Sequence, residues 1–359
     1  MQHHRGPAWL PGGHSQTIWP ALFSRRHPGQ ALRFDRERWT TPDGDFIEVD
    51  FLRNDGGPAA SAAGGPGTSA TPSTSAAAQA HVPMLVLFHG LEGSSASHYA
   101  QAFGHWARDA GWAFAVPHFR GCSGPLNLGP RAYHSGDFEE VGWILDRLRE
   151  RSRQPLRVVG VSLGGNALLR WAEEAGDQAG ATAAAVATVC APVDLAASGR
   201  AIGQGFNALV YTRMFLRSMK PKALAKLAQH PGLFDRQRLL AARTLYEFDD
   251  VFTAPLHGFK GTNDYWQRAS AKPHLHRIRL PALVLNARND PFIPASSLPL
   301  ASQVAPLVTL WQPAHGGHVG FASGPPPGQL QSLPERVMAW MQQQAPTEDT
   351  PWTTSSKPR

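Results

Sequence analysis

From Arg157 to Gly165 the chain reads Arg-Val-Val-Gly-Val-Ser-Leu-Gly-Gly, which places Ser162 in the middle of a Gly-x-Ser-x-Gly string. A serine hydroxyl is a weak nucleophile until a base takes its proton and the backbone presents it in open space. A sharp strand-to-helix turn does the presenting. It needs glycines two residues before and after the serine, because side chains there would collide. Val158-Val159 in front is strand-favouring and residues 166–174 behind are helix-favouring, a setting that a glycine-rich loop alone would lack. Ser162 is therefore the candidate nucleophile of an acyl-transfer reaction.

The serine needs a base, and the base an acid to orient it; triads occur in several chain orders, and the one that goes with a strand-to-helix serine turn is serine, acid, histidine. Asp290 comes just after the apolar run 282–287 and precedes Pro291-Phe-Ile-Pro294; His318 lies on the glycine-rich stretch Ala314-His-Gly-Gly-His-Val-Gly-Phe321, after the run 307–312. Asp194, after the run 183–191, competes for the acid role, and His315 for the base. Chain order favours Asp290. The Gly316-Gly317 pair, which lets the loop turn the second histidine inward, favours His318. Although His315 and His318 are spaced so that they could share a metal, no Cys or carboxylate cluster completes such a site, so neither metal nor organic cofactor is expected. A tetrahedral oxyanion would need two N–H donors. Leu163, next to the serine, is one candidate; Leu91, in the loop His89-Gly-Leu-Glu-Gly93, is the other.

These residues need a scaffold that brings several strand ends together. Strands are expected at 84–88, 113–117, 156–161, 183–191, 282–287 and 307–312. Helices are expected at 97–110, 138–151, 164–175, 295–304 and 330–343. Such alternation implies a mostly parallel sheet with helices on both faces. Before it, Trp39 to Leu52 reads as a hairpin turning at Asp43-Gly44. Residues 194–276 are helical and rich in Arg, Phe, Leu and Met without strand alternation, and are expected as a lid inserted into a core of 1–193 plus 277–345. Within that insertion Phe206, Leu209, Val210, Phe215 and Leu216 recur at helical spacing, an apolar stripe that either lines a pocket or packs the insertion on the sheet. Residues 54–82, almost all Ala, Gly, Ser, Thr and Pro, and 346–359 are expected to be a flexible excursion and a disordered tail.

Composition narrows the partners. The net charge is +7, and of 34 basic residues 28 are Arg and 6 Lys. They are scattered, with no basic stripe interleaved with aromatics, so nucleic acid is not an expected partner; weak attraction to an anionic membrane surface stays open. No signal peptide or spanning segment is read, giving the expectation of a cytoplasmic protein. Cys122 and Cys190 are read as reduced structural thiols. Oligomeric state is not readable.

The chain resembles the α/β-hydrolase family that includes YheT-type hydrolases, ABHD1/ABHD3-like proteins and EMB8 proteins. The strings that carry the resemblance span roughly 7–343: Gly12-Gly-His-Ser-Gln-Thr17, Phe88-His-Gly-Leu-Glu-Gly-Ser-Ser-Ala-Ser-His-Tyr99, Phe119-Arg-Gly-Cys-Ser-Gly124, Pro130-Arg-Ala-Tyr-His-Ser-Gly136, the stretch 160–165, Phe248-Asp-Asp-Val-Phe-Thr-Ala-Pro-Leu-His-Gly-Phe259 with Asp264-Tyr265, and both the Asp290 and His318 loops. It implies an α/β-hydrolase fold with a lid, Ser162, Asp290 and His318 on the triad positions, and hydrolysis of short-chain esters or monoacylglycerol-type lipids. Ser15 and Asn289 depart from the family pattern, which has Leu and Asp there. Two alternatives stay open: an acyltransferase that passes the acyl group to an alcohol, and a non-catalytic lipid-binding protein on the same fold.

Overall fold

The computed structural model of the chain describes residues 4–24, 30–53 and 82–344. Eight strands form one sheet: β1 (Phe34–Thr40), β2 (Phe46–Leu52), β3 (Met84–Phe88), β4 (Ala113–His118), β5 (Leu156–Val161), β6 (Ala183–Val189), β7 (Ala282–Leu285) and β8 (Val308–Trp311), in the order β1-β2-β4-β3-β5-β6-β7-β8. The hairpin β1–β2 turns at Asp43-Gly44 as expected, β1 beginning at Phe34 rather than Trp39. β2 runs antiparallel to β4, and every later pairing is parallel.

Side chains of a strand alternate between faces, and the central strands are apolar on both. Leu85, Leu87, Val159 and Val161 point to one face, Val86, Phe88 and Val158 to the other. The helices are α1 (Gly12–Leu22), α2 (His98–Asp109), α3 (Phe138–Arg151), α4 (Leu163–Ala175), α5 (Leu195–Ile202), α6 (Arg213–Gln229), α7 (Arg236–Ala241), α8 (Thr262–Ala269) and α9 (Ser332–Gln343), besides shorter turns. α2 and α9 cover the first face with Phe103, Val337 and Met338. The second face is covered by α3 and α4. In α3, Val141, Ile144, Leu145 and Leu148 recur at the helical period and are fully buried; each contributes roughly 1.5–3 kcal/mol. The Asp137 side chain caps α3 by accepting from Glu140 N, with Glu139 and Glu140 in the first turn and Arg149 and Arg151 in the last. Those charges match the helix dipole.

Two elements differ from the sequence reading. The helix expected at 295–304 is instead two separate 3₁₀ turns, Ala295–Ser297 and Ala301–Gln303. Pro299 forces its predecessor Leu298 into extended backbone (φ −62, ψ 146) and offers no N–H to continue a helix. Conversely α1 forms although Gly12-Gly13 opens it and Pro20 sits inside it. Between β6 and β7 the chain is helical as read, with π-helical turns at Ala208–Thr212 and Asp249–Thr253, and Leu216, Leu239, Phe248 and Val251 make a small core of its own. The excursion read at 54–82, save its last residue, and the tail read at 346–359 lie outside the described residues. No helix among the described residues is long and apolar enough to cross a membrane.

Candidate active site

β5 runs straight into Ser162, whose backbone stands at φ 53, ψ −119. That conformation costs of order 1–3 kcal/mol and persists only where the surroundings enforce it. Here the Ser162 amide donates to Val189 O on β6 (2.8 Å), and its carbonyl accepts from Gly165 N in α4 (2.9 Å). The flanking glycines are needed because backbone packs on backbone. A Cβ on Gly160 would stand 2.6 Å from Gly164 O, and one on Gly164 would stand 2.8 Å from Phe88 O. Gly164→Ala is expected to lower stability by about 1–3 kcal/mol, read as a fall in Tm. Gly180→Ala, where a Cβ would meet nothing within 4 Å, should leave Tm unchanged.

The loops after β7 and β8 bring the other two candidates to the serine. His318 Nε2 lies 3.0 Å from Ser162 Oγ, and His318 Nδ1 lies 2.8 Å from Asp290 Oδ2. A carboxylate only accepts, so Nδ1 carries the proton and Nε2 is free to accept from the serine hydroxyl. The Asp290 side chain is fully buried, and its second oxygen accepts from Phe292 N at 2.8 Å. The Phe292 ring lies 4.2 Å from the His318 ring, and Tyr211 of the helical insertion packs on Phe292 at 4.5 Å. Asp194 is elsewhere: it caps α5, accepting from Ala197 N at 3.0 Å. His315 is exposed. The loop that carries His318 is itself strained, with β-branched Val319 at φ 61. Its amide donates to Cys190 Sγ (3.3 Å), and its carbonyl faces His98 Nε2 (3.2 Å).

The loop after β3 lies against the same point, since a Cβ on Gly90 would stand 3.1 Å from Ser162 Cβ. Gly90 N donates to Tyr99 Oη (2.9 Å). His89 is fully buried, and burial pushes it down to about 3, so the ring is neutral; Nδ1 donates to Gly90 O (2.8 Å) and Nε2 accepts from Phe119 N (3.1 Å). Next to it Glu92, at φ 57, donates its amide to Tyr133 Oη (3.1 Å) and accepts the Tyr133 hydroxyl on Oε1 (2.9 Å). Leu91 is thereby fixed from both sides. Among the described residues no hydrogen bond occupies the Leu91 or the Leu163 amide, and both residues line the cavity in front of Ser162.

That cavity, of about 170 Å³, runs from Ser162 and His318 under the helical insertion, past Leu195, Ile202, Phe215, Met219, Phe248 and Phe252. Within its lining Lys222 of α6 pairs with Glu92 at 2.9 Å, tying the insertion to the Leu91 loop. The expected apolar stripe does not hold as one face. Phe215 lines the cavity, Leu216 is buried in the insertion's own core, Val210 packs against the main core, and Phe206 and Leu209 are exposed. The spacing itself accounts for this, since nine residues at about 100° each set Phe215 opposite Phe206 on a regular helix, and a π-helical turn at Ala208–Thr212 interrupts the regular winding between them.

Cys190, Asp290 and His318 place their ligand-type atoms within 4.8 Å of one another. Burial raises the Cys190 thiol well above its ordinary value, so it is a protonated hydrogen-bonding group, and Asp290 and His318 are already engaged with each other. Both cysteines are free thiols.

The sequence model of the α/β-hydrolase fold matches residues 83–325. The chain belongs to the α/β-hydrolase fold family. Among its relatives is the putative esterase YheT of Escherichia coli K12, 37% identical over 333 residues, covering 91% of this chain and 89% of that protein. Human phospholipase ABHD3 is 26% identical over 322 residues, covering 88% of this chain and 73% of that protein. Among solved structures, a puromycin-hydrolysing peptidase of Mycobacterium tuberculosis superposes with a TM-score of 0.53 at 16% identity, over 87% of this chain and 40% of that one; this likeness concerns the fold alone. In this α/β-hydrolase the residues not foreseen as site residues are Tyr133, Tyr211 and Phe292, together with Gln16, Thr17 and Asn289. Only the string Gly12–Thr17 and the Asn289 departure hinted at the last three.

Proposed function

We propose that this chain, a carboxylic ester hydrolase, works through an acyl-enzyme on Ser162 and takes esters with an apolar acyl chain, lipid esters included. The observation that carries the reading is the unbroken relay Asp290–His318–Ser162, with contacts of 2.8 and 3.0 Å, opening on an apolar cavity. Ser162 Oγ attacks the ester carbonyl carbon as its proton passes to His318 Nε2. Asp290 holds the imidazole by its Nδ1–H and stabilises the charge that forms there. The oxyanion takes the Leu91 and Leu163 amides, which have no other partner among the described residues. His318 then protonates the departing alkoxide, and water repeats the sequence to release the acid. The insertion roofs this chemistry as a lid, and its apolar lining holds the acyl chain. That a relative is named a phospholipase supports a lipid ester.

Stoichiometric labelling by a fluorophosphonate that is lost in Ser162→Ala tests the nucleophile. A panel of p-nitrophenyl esters from acetyl to octanoyl tests the cavity. With ~0.8 kcal/mol per buried methylene, kcat/KM is expected to rise by roughly threefold to fourfold per carbon until the cavity is full. Values flat or falling along the panel would mean a shallow site and a short-chain esterase.

A further inference from the structure

We propose that Thr17 and Gln16 of the N-terminal helix are positioning residues for the hydrolytic site, holding the base and acid loops at the separation the relay needs. The proposal rests on the reading of Ser162, Asp290 and His318 above.

Both residues belong to α1, outside the segment that matches the α/β-hydrolase model, and both are buried. The Thr17 hydroxyl has one proton and two lone pairs. It donates the proton to Gly13 O, one helical turn back (2.7 Å), and a lone pair accepts from His318 N (2.8 Å). A helix thus grips the base by its main chain. Gln16 works on both loops at once. Its Nε2 donates to Leu10 O (2.9 Å), which fixes the amide's orientation. Its Oε1 accepts from Gly316 N on the base loop (2.9 Å) and from Asn289 Nδ2 on the acid loop (2.9 Å). Asn289 closes the ring by accepting from Gly317 N on Oδ1 (3.0 Å). The helix backbone is pressed against the base loop so closely that a Cβ on Gly320 would collide with Gln16 O.

This arrangement gives Asn289 its use. A carboxylate at 289 could accept from Gly317 N but could not donate to Gln16 Oε1, so the amide is the group that serves both partners. The base loop needs such an external hold, since Val319 beside His318 is in the left-handed region. Released from α1, the loop can relax and carry the imidazole away from Ser162 and Asp290. Displacements of about 1 Å in such a relay cost up to a hundredfold in rate.

The test compares Thr17→Val, which keeps the shape and removes the acceptor, with Thr17→Ser, which restores it, and with Gln16→Leu, which releases the second strut independently. Turnover of a p-nitrophenyl ester is measured across pH, and active sites are counted with a fluorophosphonate. Thr17→Val and Gln16→Leu are expected to lower kcat about tenfold with KM within twofold, to shift the acid limb of the kcat/KM profile, and to label fully but more slowly. Thr17→Ser should stay within twofold of the parent. If kcat of Thr17→Val and Gln16→Leu stayed at the parent value, or fell only in proportion to the number of sites labelled, the positioning role would be overturned. A Ser162→Ala control that still turned over ester would instead overturn the reading of Ser162; an inactive control beside fully active Thr17→Val and Gln16→Leu variants overturns the positioning role alone.

Discussion

Ser162→Ala is expected to lower kcat about 10⁶-fold, the scale on which removing a serine nucleophile disables a triad that acts as a unit. The fold should survive. The hydroxyl's hydrogen bond is to His318 Nε2, and the turn is held by main-chain bonds to Val189 and Gly165, which alanine keeps. Unchanged Tm together with lost turnover and lost fluorophosphonate labelling is the expected pattern. Residual activity within tenfold of the parent would place the chemistry at another residue.

Asp290→Asn should come second in size, with kcat down about 10⁴-fold. Asp290 accepts at both oxygens, from His318 Nδ1 and from Phe292 N. An asparagine oriented to keep the Phe292 bond presents its NH₂ to His318 Nδ1, so the proton moves to Nε2 and the base can no longer accept from serine. Asp194→Asn is the matched control. Its carboxylate caps α5 through Ala197 N, and asparagine caps a helix about as well, so activity should stay within a few fold. Turnover of the two variants against one p-nitrophenyl ester decides between them, and the reverse order would move the acid role to Asp194.

The pieces legible in the sequence are those whose local pattern and tertiary role agree. β5, α4 and Ser162 can be read because β-branched residues, glycines and helix formers succeed one another where the turn needs them. Asp290 and His318 can be read because each comes after an apolar run that is a parallel strand. The features that escape depend on contacts between distant segments. α1 has two glycines at its start and a proline inside, so propensity gives no hint of a helix; it forms where Gln16 and Thr17 find partners on loops some 300 residues away in sequence. The stretch 295–304 has apolar spacing compatible with a helix, but Pro299 decides the matter. The stripe from Phe206 to Leu216 is not one face even on a regular helix, where nine residues at about 100° each set Phe215 opposite Phe206, and its members accordingly meet different environments.

The bond from Gly316 N to Gln16 Oε1 spans a sequence separation of 300 residues, and this has a bearing on how the protein is made. A ribosome delivers α1 before Ser162, and Ser162 well before His318. While the chain is being synthesised, the Ser162 turn can fold as part of β5 and α4, but the partner that His318 offers its hydroxyl is missing until His318 has left the exit tunnel and met the N-terminal segment. With the roles proposed for Ser162 and His318, the nascent hydrolase is expected to be inert toward ester bonds around it, and a product of termination before residue 318 to stay so.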